Sequence, residues 1–434
     1  MVGQKIHDFA KRLWPINRSI TGEGVRQTLS LISKEIKGLN VFSVPSHTKV
    51  FDWTVPKEWK VNKAYILTPD GKKICDFHEN NLHLLGYSTP FFGMLTLAEL
   101  RKHLHTLPEQ PQAIPYCTSY YKERWGFCLS QNSLDELKEG VYQVVVDTEL
   151  FDGVLNYGEV NIKGVRSEEI FISTYICHPS MANNELSGPS VVTFLVKWLQ
   201  EQPHLEYSYR IVFIPETIGS ITYLSKNYRH MKARTIAGFN VSCVGDSRTY
   251  SYLPSRTGNT LSDRVAMHVL KWISPTYIKY SWLDRGSDER QYCSPGIDLP
   301  IASILRSKFG SYPEYHTSLD DLEFVTPEGL DGGYWAIRRA LEAIENNQVY
   351  KSTVLCEPQM GKRGLYPTLS TKSSAESTRL IMNFLTYCDG TRTLLEIADK
   401  IDAPIWELYK LVNTLSDAEL IKKCSHQHCS EALI

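Results

Sequence analysis

Residues 171–199 read FISTYICHPSMANNELSGPSVVTFLVKWL. The first six form a short apolar run rich in β-branched residues, the pattern of a strand buried on both faces. Further on, Val192, Leu195, Val196 and Leu199 recur at helical spacing. Between strand and helix lies a polar turn carrying His178, Asn184 and Glu185. The whole stretch predicts a βα unit, and in open α/β sheets polar groups converge where such strands end.

The unit repeats downstream. RIVFIP (210–215) reads as a second buried strand, 238–244 as a third and 299–305 as a fourth, with helix-like stretches between several of them. The alternation predicts an α/β sandwich with a mostly parallel sheet. His178 follows the first strand, Glu216 (in FIPETIGS, 213–220) the second and Asp246 the third. His316 stands further along in PEYHTSLDD (313–321), beside Tyr315. A zinc centre needs neutral imidazoles and carboxylates delivered from several strand ends, with one open position for water. A single histidine is more often a hydrogen-bonded structural residue, but two in such settings favour metal.

Composition narrows the classes. The chain has 434 residues, 42% of them hydrophobic, and a formal charge of −1. That is an ordinary globular balance, long enough for two or three domains, with no global footprint of a nucleic-acid binder. No stretch of about 18 apolar residues predicts a membrane span, and the first residues lack the apolar centre of a secretory signal, so a cytoplasmic protein is expected. The ten cysteines, several beside apolar runs, suit reduced thiols better than a disulfide framework. Cys424-Ser-His-Gln-His-Cys429 carries metal-ligand types, yet so short a segment rarely builds a site alone, and a frayed tail is the expectation.

Texture divides the chain. Residues 1–45 and 150–346 are expected to build the α/β domain, and 46–149 an inserted β-rich domain of short strands rich in Trp, Tyr and Val broken by turn signals such as Pro69-Asp70-Gly71. Residues 366–434 predict short helices resembling a winged helix-turn-helix. Asp402 is the expected N-cap there, and Ile405, Leu408, Val412 and Leu415 share one face. Seven Lys/Arg against nine Asp/Glu in that segment argue against nucleic acid and for a protein partner or self-association.

In order, HPSMANNELSGPS (178–190), PETIGS (215–220), NVSCVGD (240–246), GSDERQY (286–292) and EYHTSLDD (314–321) resemble the motif series of the zinc aminopeptidase superfamily that also contains glutaminyl cyclases. More narrowly, with WPINRSITGEGVR (14–26) and RWGFCL (124–129), the chain is similar to a bacterial aminopeptidase-like family of the same layout. The resemblance implies a zinc-binding fold with His178 and His316 as metal ligands and Glu216 as general base. Three positions depart from the pattern. Asn184-Glu185 stands where the superfamily has a bridging Asp followed by Asn, Glu216-Thr217 replaces two glutamates, and Ser242 replaces a strand-end Asp, with Asp246 four residues later. The expectation is therefore one zinc, held by His178, Glu185 and His316.

Alternatives remain open for several of these residues. Glu216 also suits the start of a following helix, where an acid favours the positive end of the dipole. Asp288 and Glu289 could meet a substrate ammonium and Arg290 a carboxylate, or all three could form a solvated loop. Asp320 and Asp321 could support His316 or cap a helix. The leading expectation is an aminopeptidase-type hydrolase of small molecules or short peptides. An amidohydrolase or deacylase acting on an amino-sugar or other biosynthetic intermediate comes second, since companions of polysaccharide biosynthesis share this layout. An inactive relic acting as a binding or assembly protein comes third.

Overall fold

The computed structural model describes residues 1–120, 122–365 and 372–424. Contacts divide the chain into two compact units, Met1–Asp263 with Thr276–Trp335 and Arg264–Pro275 with Ala336–Ile434. All nine described cysteines are free, and no described helix is long and apolar enough to cross a membrane.

The first unit is built on an eight-stranded sheet. Its middle holds the strands Ser208–Ile214, Glu169–Tyr175, Thr235–Asn240 and Ile301–Leu305, side by side and parallel. Antiparallel strands Val154–Ile162 and Asn40–Pro45 extend one side, and Ser251–Leu253 with Ile278–Lys279 the other. Every residue of Glu169–Tyr175 is buried. Helices cover both faces of a parallel sheet, so its strands read as continuous apolar runs. Each Phe or Ile taken from water there contributes roughly 1.5–3 kcal/mol.

The chain passes from that strand into the helix Ser187–Gln200 through a one-turn π-helix, Ala182–Leu186. Gly188 allows the close approach: a Cβ there would lie 2.5 Å from both Thr174 Oγ1 and Val241 O. The predicted strand 171–176 is thus found as Glu169–Tyr175, and 192–199 lie in the helix Ser187–Gln200 as their spacing predicts. Glu169–Tyr175 lies between Ser208–Ile214 and Thr235–Asn240, so the chain passes from it to the neighbour on one side and then crosses to the neighbour on the other. Such a switch point opens a crevice at the carboxyl ends.

Within the same unit, Val141–Phe151 pairs with Glu58–Leu67 and with Phe91–Thr96 to form most of a separate four-stranded sheet. Burial alternates along Phe91–Thr96, as expected for a sheet with one face wetted.

The second unit carries a three-stranded antiparallel sheet with Val349–Ser352 between Asp389–Thr393 and Ile421–Lys423. It therefore draws on residues before position 366, because its central strand lies upstream. Thr393 caps the helix Leu394–Lys400 in a box with Glu396. Ile405, Leu408, Val412 and Leu415 form the buried face of Ile405–Asp417, as their spacing predicts. The N-cap differs from expectation: it is Pro404, while Asp402 turns with φ 54°. Beyond Cys424 the Cys424–Cys429 segment lies outside the described residues.

Candidate metal centre

The carboxyl ends of two parallel strands bring His178 and Glu216 together, and the loop after Leu305 delivers His316. His178 is nearly enclosed, with 6% of its surface exposed. Its Nδ1 lies 2.9 Å from Glu185 Oε2, and its Nε2 faces Glu216 Oε2 at 3.6 Å. The His178 and His316 ring centroids are 5.7 Å apart. Two imidazoles bound through nitrogen to one tetrahedral ion would place their centroids about 5 Å apart. His316 Nε2 is buried and has no hydrogen-bond partner. An orphaned imidazole nitrogen beside a second ring and a carboxylate fits a single cation.

Glu185 stands on the other side of the His178 ring. Its Oε1 is 3.2 Å from Arg18 Nε, an ion pair without hydrogen-bond alignment, and both side chains are completely buried. Arg18 also donates to the carbonyls of His178 (3.1 Å) and Leu13 (2.8 Å). Cys177, His178 and Glu185 do place three ligand-type atoms within 4.8 Å of one another. Three features oppose a cation there: the guanidinium already neutralises Glu185, burial pushes the Cys177 thiol up to about 11, and its sulfur receives the Glu216 backbone N–H at 3.1 Å. The sequence expectation names Glu185 as a ligand beside His178 and His316; here its Oε2 meets His178 Nδ1 while Oε1 faces Arg18, so Glu185 and His316 lie at different edges of the His178 ring.

The electrostatics follow. Burial alone would lower the His178 pKa, but the Cys177 sulfur and the Glu185 carboxylate hold it well above the ordinary value. His316 goes the other way: burial and the neighbouring His178 charge push it down to about 3, leaving a neutral ring with a free lone pair. Burial raises Glu216 against the pull of His178 and of the Ser287 hydroxyl, which donates to Oε1 at 2.8 Å.

Thr217, next in the chain, has φ 61°. A β-branched residue in that region costs about 1–3 kcal/mol, strain of a kind that gathers at functional sites. The turn is held by Asp288, whose Oδ1 accepts the Thr217 backbone N–H (2.8 Å) and the Ser220 hydroxyl (2.7 Å). Burial and nearby Glu216 push Asp288 up to about 8. Glu289, also buried, accepts from the Gly286 and Ser287 backbone and from Asn240. Arg290 is exposed and donates to Thr217 Oγ1 at 2.8 Å. This loop is therefore internally ordered rather than merely solvated.

Other sequence candidates lie elsewhere in function. Asp246 is saturated by Asn183 Nδ2, the Arg248 and Ser307 backbone and the Ser307 hydroxyl, so it braces loops and leaves no oxygen for a metal. Asn184 donates to Tyr175 OH at 2.8 Å. Asp320 accepts the Asn183 and Asn184 N–H groups and thereby holds the His178 turn, not the His316 ring. Asp321 caps the turn at Glu323 and Phe324. Tyr315 stacks on His316 with centroids 3.8 Å apart.

Two participants had no expectation attached. Arg18 lies within the quoted WPINRSITGEGVR, where an arginine among apolar residues is the signal that could have found it. Tyr116 comes from the segment between the small-sheet strands Phe91–Thr96 and Val141–Phe151. Its ring centroid lies 5.4 Å from that of His178 and 5.1 Å from that of His316, and its backbone N–H donates to His316 O at 2.8 Å. Its hydroxyl meets that of Tyr120 at 2.9 Å.

Comparisons place this fold among known proteins. A Clostridium acetobutylicum protein named "Putative polysaccharide biosynthesis protein with aminopeptidase-like domain" is 44% identical over 97% of this chain and 96% of its own. The crystal structure of a "putative peptidase" from the same species superposes with a TM-score of 0.91 at 42% identity, covering 98% of this chain and 97% of that one. The zinc aminopeptidase BSAP of Bacillus subtilis shares the fold at a TM-score of 0.56 and 12% identity, over 79% of this chain and 94% of that one. A Shewanella amazonensis peptidase M28 precursor does so at 0.54 and 15%, over 82% and 96%. These distant likenesses establish the zinc-aminopeptidase fold. Residues 348–423 match a winged helix-turn-helix family, and residues 7–347 match the family described as a domain of unknown function (DUF4910), to which this aminopeptidase-like chain belongs.

Proposed function

We propose that the chain is a zinc-dependent hydrolase that cleaves an amide bond of a small molecule. The observation that carries the reading is the pairing of His178 and His316: His316 Nε2 is buried without a hydrogen-bond partner, and His178 Nε2 faces Glu216 at 3.6 Å. Those two imidazoles would hold the ion, which when bound supplies Lewis acidity at the amide carbonyl. Two protein ligands are fewer than the three usual in catalytic zinc sites, so the ion is expected to exchange readily.

Glu216 takes the proton from the attacking water and returns it to the departing nitrogen, completing hydrolysis to acid and amine. Ser287 fixes its Oε1 and leaves Oε2 towards the histidines. Burial raises its proton affinity, which suits a group that must both accept and donate. Glu185 acts through His178, fixing the ring so that Nε2 faces inwards. Tyr116 covers the two rings and limits water.

A second reading, a deacylase acting on a biosynthetic intermediate, is favoured by the printed name of the 44% identical relative. The test is zinc content by elemental analysis of wild type, His178→Ala and His316→Ala after equilibration with zinc. A screen of aminoacyl amides against N-acetylated amino sugars then follows. One ion per wild-type chain, lost in both variants, with turnover of either class supports the proposal; a wild type that takes up no zinc sinks it.

A further inference from the structure

The charges around Glu216 are arranged for an anion. Each neighbouring carboxylate is already engaged: Glu185 with His178 and Arg18, Asp288 with Thr217 and Ser220, Glu289 with Gly286, Ser287 and Asn240. Asp288 keeps one oxygen without a partner, but that side chain is wholly enclosed. An ammonium arriving from solvent finds no free acid among these. Arg290 is the opposite case. It is exposed, and its one hydrogen bond among the described residues runs to the Thr217 hydroxyl. One Nη is thereby fixed, and the rest of the guanidinium fork stays open. Thr217 directly follows Glu216 in the chain, so this hydrogen bond holds the guanidinium at the same strand end. The strained Thr217 turn, tied down by Asp288, fixes the hydroxyl that holds it.

We infer that Arg290 anchors an oxyanion, carboxylate or phosphate, carried by the substrate. A guanidinium meets such a group through paired N–H donors, and that geometry selects orientation as well as charge. The inference rests on the hydrolase reading of the site and narrows it: the preferred substrate is an acylated, negatively charged amide, not a peptide with a free amino terminus.

The experiment is calorimetric binding to the zinc-equilibrated full chain with two matched pairs of probes. One pair is N-acetylalanine and N-acetylalaninamide; the other is N-acetylglucosamine 6-phosphate and N-acetylglucosamine. Wild type is expected to bind a charged member about tenfold more tightly than its neutral mate. Arg290→Gln abolishes that preference without weakening the neutral probe, and Arg290→Lys retains part of it. The pair that shows the preference distinguishes carboxylate from phosphate. Equal binding within both pairs, no binding of any probe, or a preference that survives Arg290→Gln overturns the inference. Zinc is measured on the same samples. An Arg290-dependent preference in protein without zinc would sink the hydrolase reading and leave the anchor standing.

Discussion

Glu185 Oε2 and His178 Nδ1 are 2.9 Å apart, and that contact decides which nitrogen of the ring is left to face Glu216 and His316. The carboxylate accepts from the Nδ1 side and turns Nε2 inwards, where a bound cation would displace its proton. Carboxylates behind metal-bound histidines characteristically tune affinity by 10–100-fold. Glu185→Gln is therefore expected to weaken zinc binding by roughly that factor in the fraction that stays folded, read by competition with a chromophoric chelator on protein whose circular dichroism matches wild type. Unchanged affinity would remove Glu185 from the metal's support.

Arg18 and Glu185 are both fully buried, so neither charge is tolerable without the other. Removing one partner of a buried pair typically costs about 3–5 kcal/mol, whereas replacing both with apolar groups is often near neutral. Arg18→Met and Glu185→Leu singly should each lower the denaturation midpoint sharply, and the double variant should recover most of the loss. Additive losses would contradict the pairing.

Glu216→Gln separates proton transfer from metal binding. Zinc content should remain near that of wild type while turnover falls by about 10²–10⁴-fold. Loss of zinc in this variant would make Glu216 a ligand instead.

Tyr116 packs its ring against both histidines, perpendicular to His316 and tilted to His178, while its backbone N–H donates to His316 O. Tyr116→Phe keeps both and is expected to release zinc to a chelator at the wild-type rate. Tyr116→Ala uncovers the rings, and release should accelerate. Equal rates in all three proteins would show that the ring is no barrier.

Glu169 receives Arg210 through two hydrogen bonds, 2.7 and 3.0 Å, and His230 at 2.9 Å. Burial alone would raise its pKa, but Arg210 and His230 bring it below the ordinary value. A carboxyl depressed in the folded state stabilises above its unfolded pKa and loses that contribution as pH falls through the folded value. Stability of wild type should therefore fall more steeply than that of Glu169→Gln below about pH 4.5. Parallel curves from urea denaturation would exclude the linkage.

The sheet was legible because its signal is local. The apolar run ending at Ile176 and the helical spacing of Val192, Leu195, Val196 and Leu199 each lie within one element, and burial on both faces leaves that pattern undiluted. The same reading brings His178 and Glu216 to neighbouring strand ends. Spacing could not tell on which side of the His178 ring Glu185 would fall. That depends on the π-turn at Ala182–Leu186 and on a guanidinium from Arg18, far upstream. Asp246 and Asp320 misled for a related reason: an acid beside a strand end looks the same in sequence whether it binds an ion or collects backbone N–H groups. Tyr116 had no periodic signal, since its role comes from a loop whose partner, His316, lies in a different part of the chain.

The hydrogen bond from Tyr116 to His316 also bears on biosynthesis. Arg18 and Tyr116 emerge from the ribosome before His178, and His316 emerges last, so no length of nascent chain short of that loop contains the paired imidazoles. The pair can arise only after the early and late segments have docked, so on the proposed reading zinc uptake would serve as a natural reporter of completed folding for this part of the molecule.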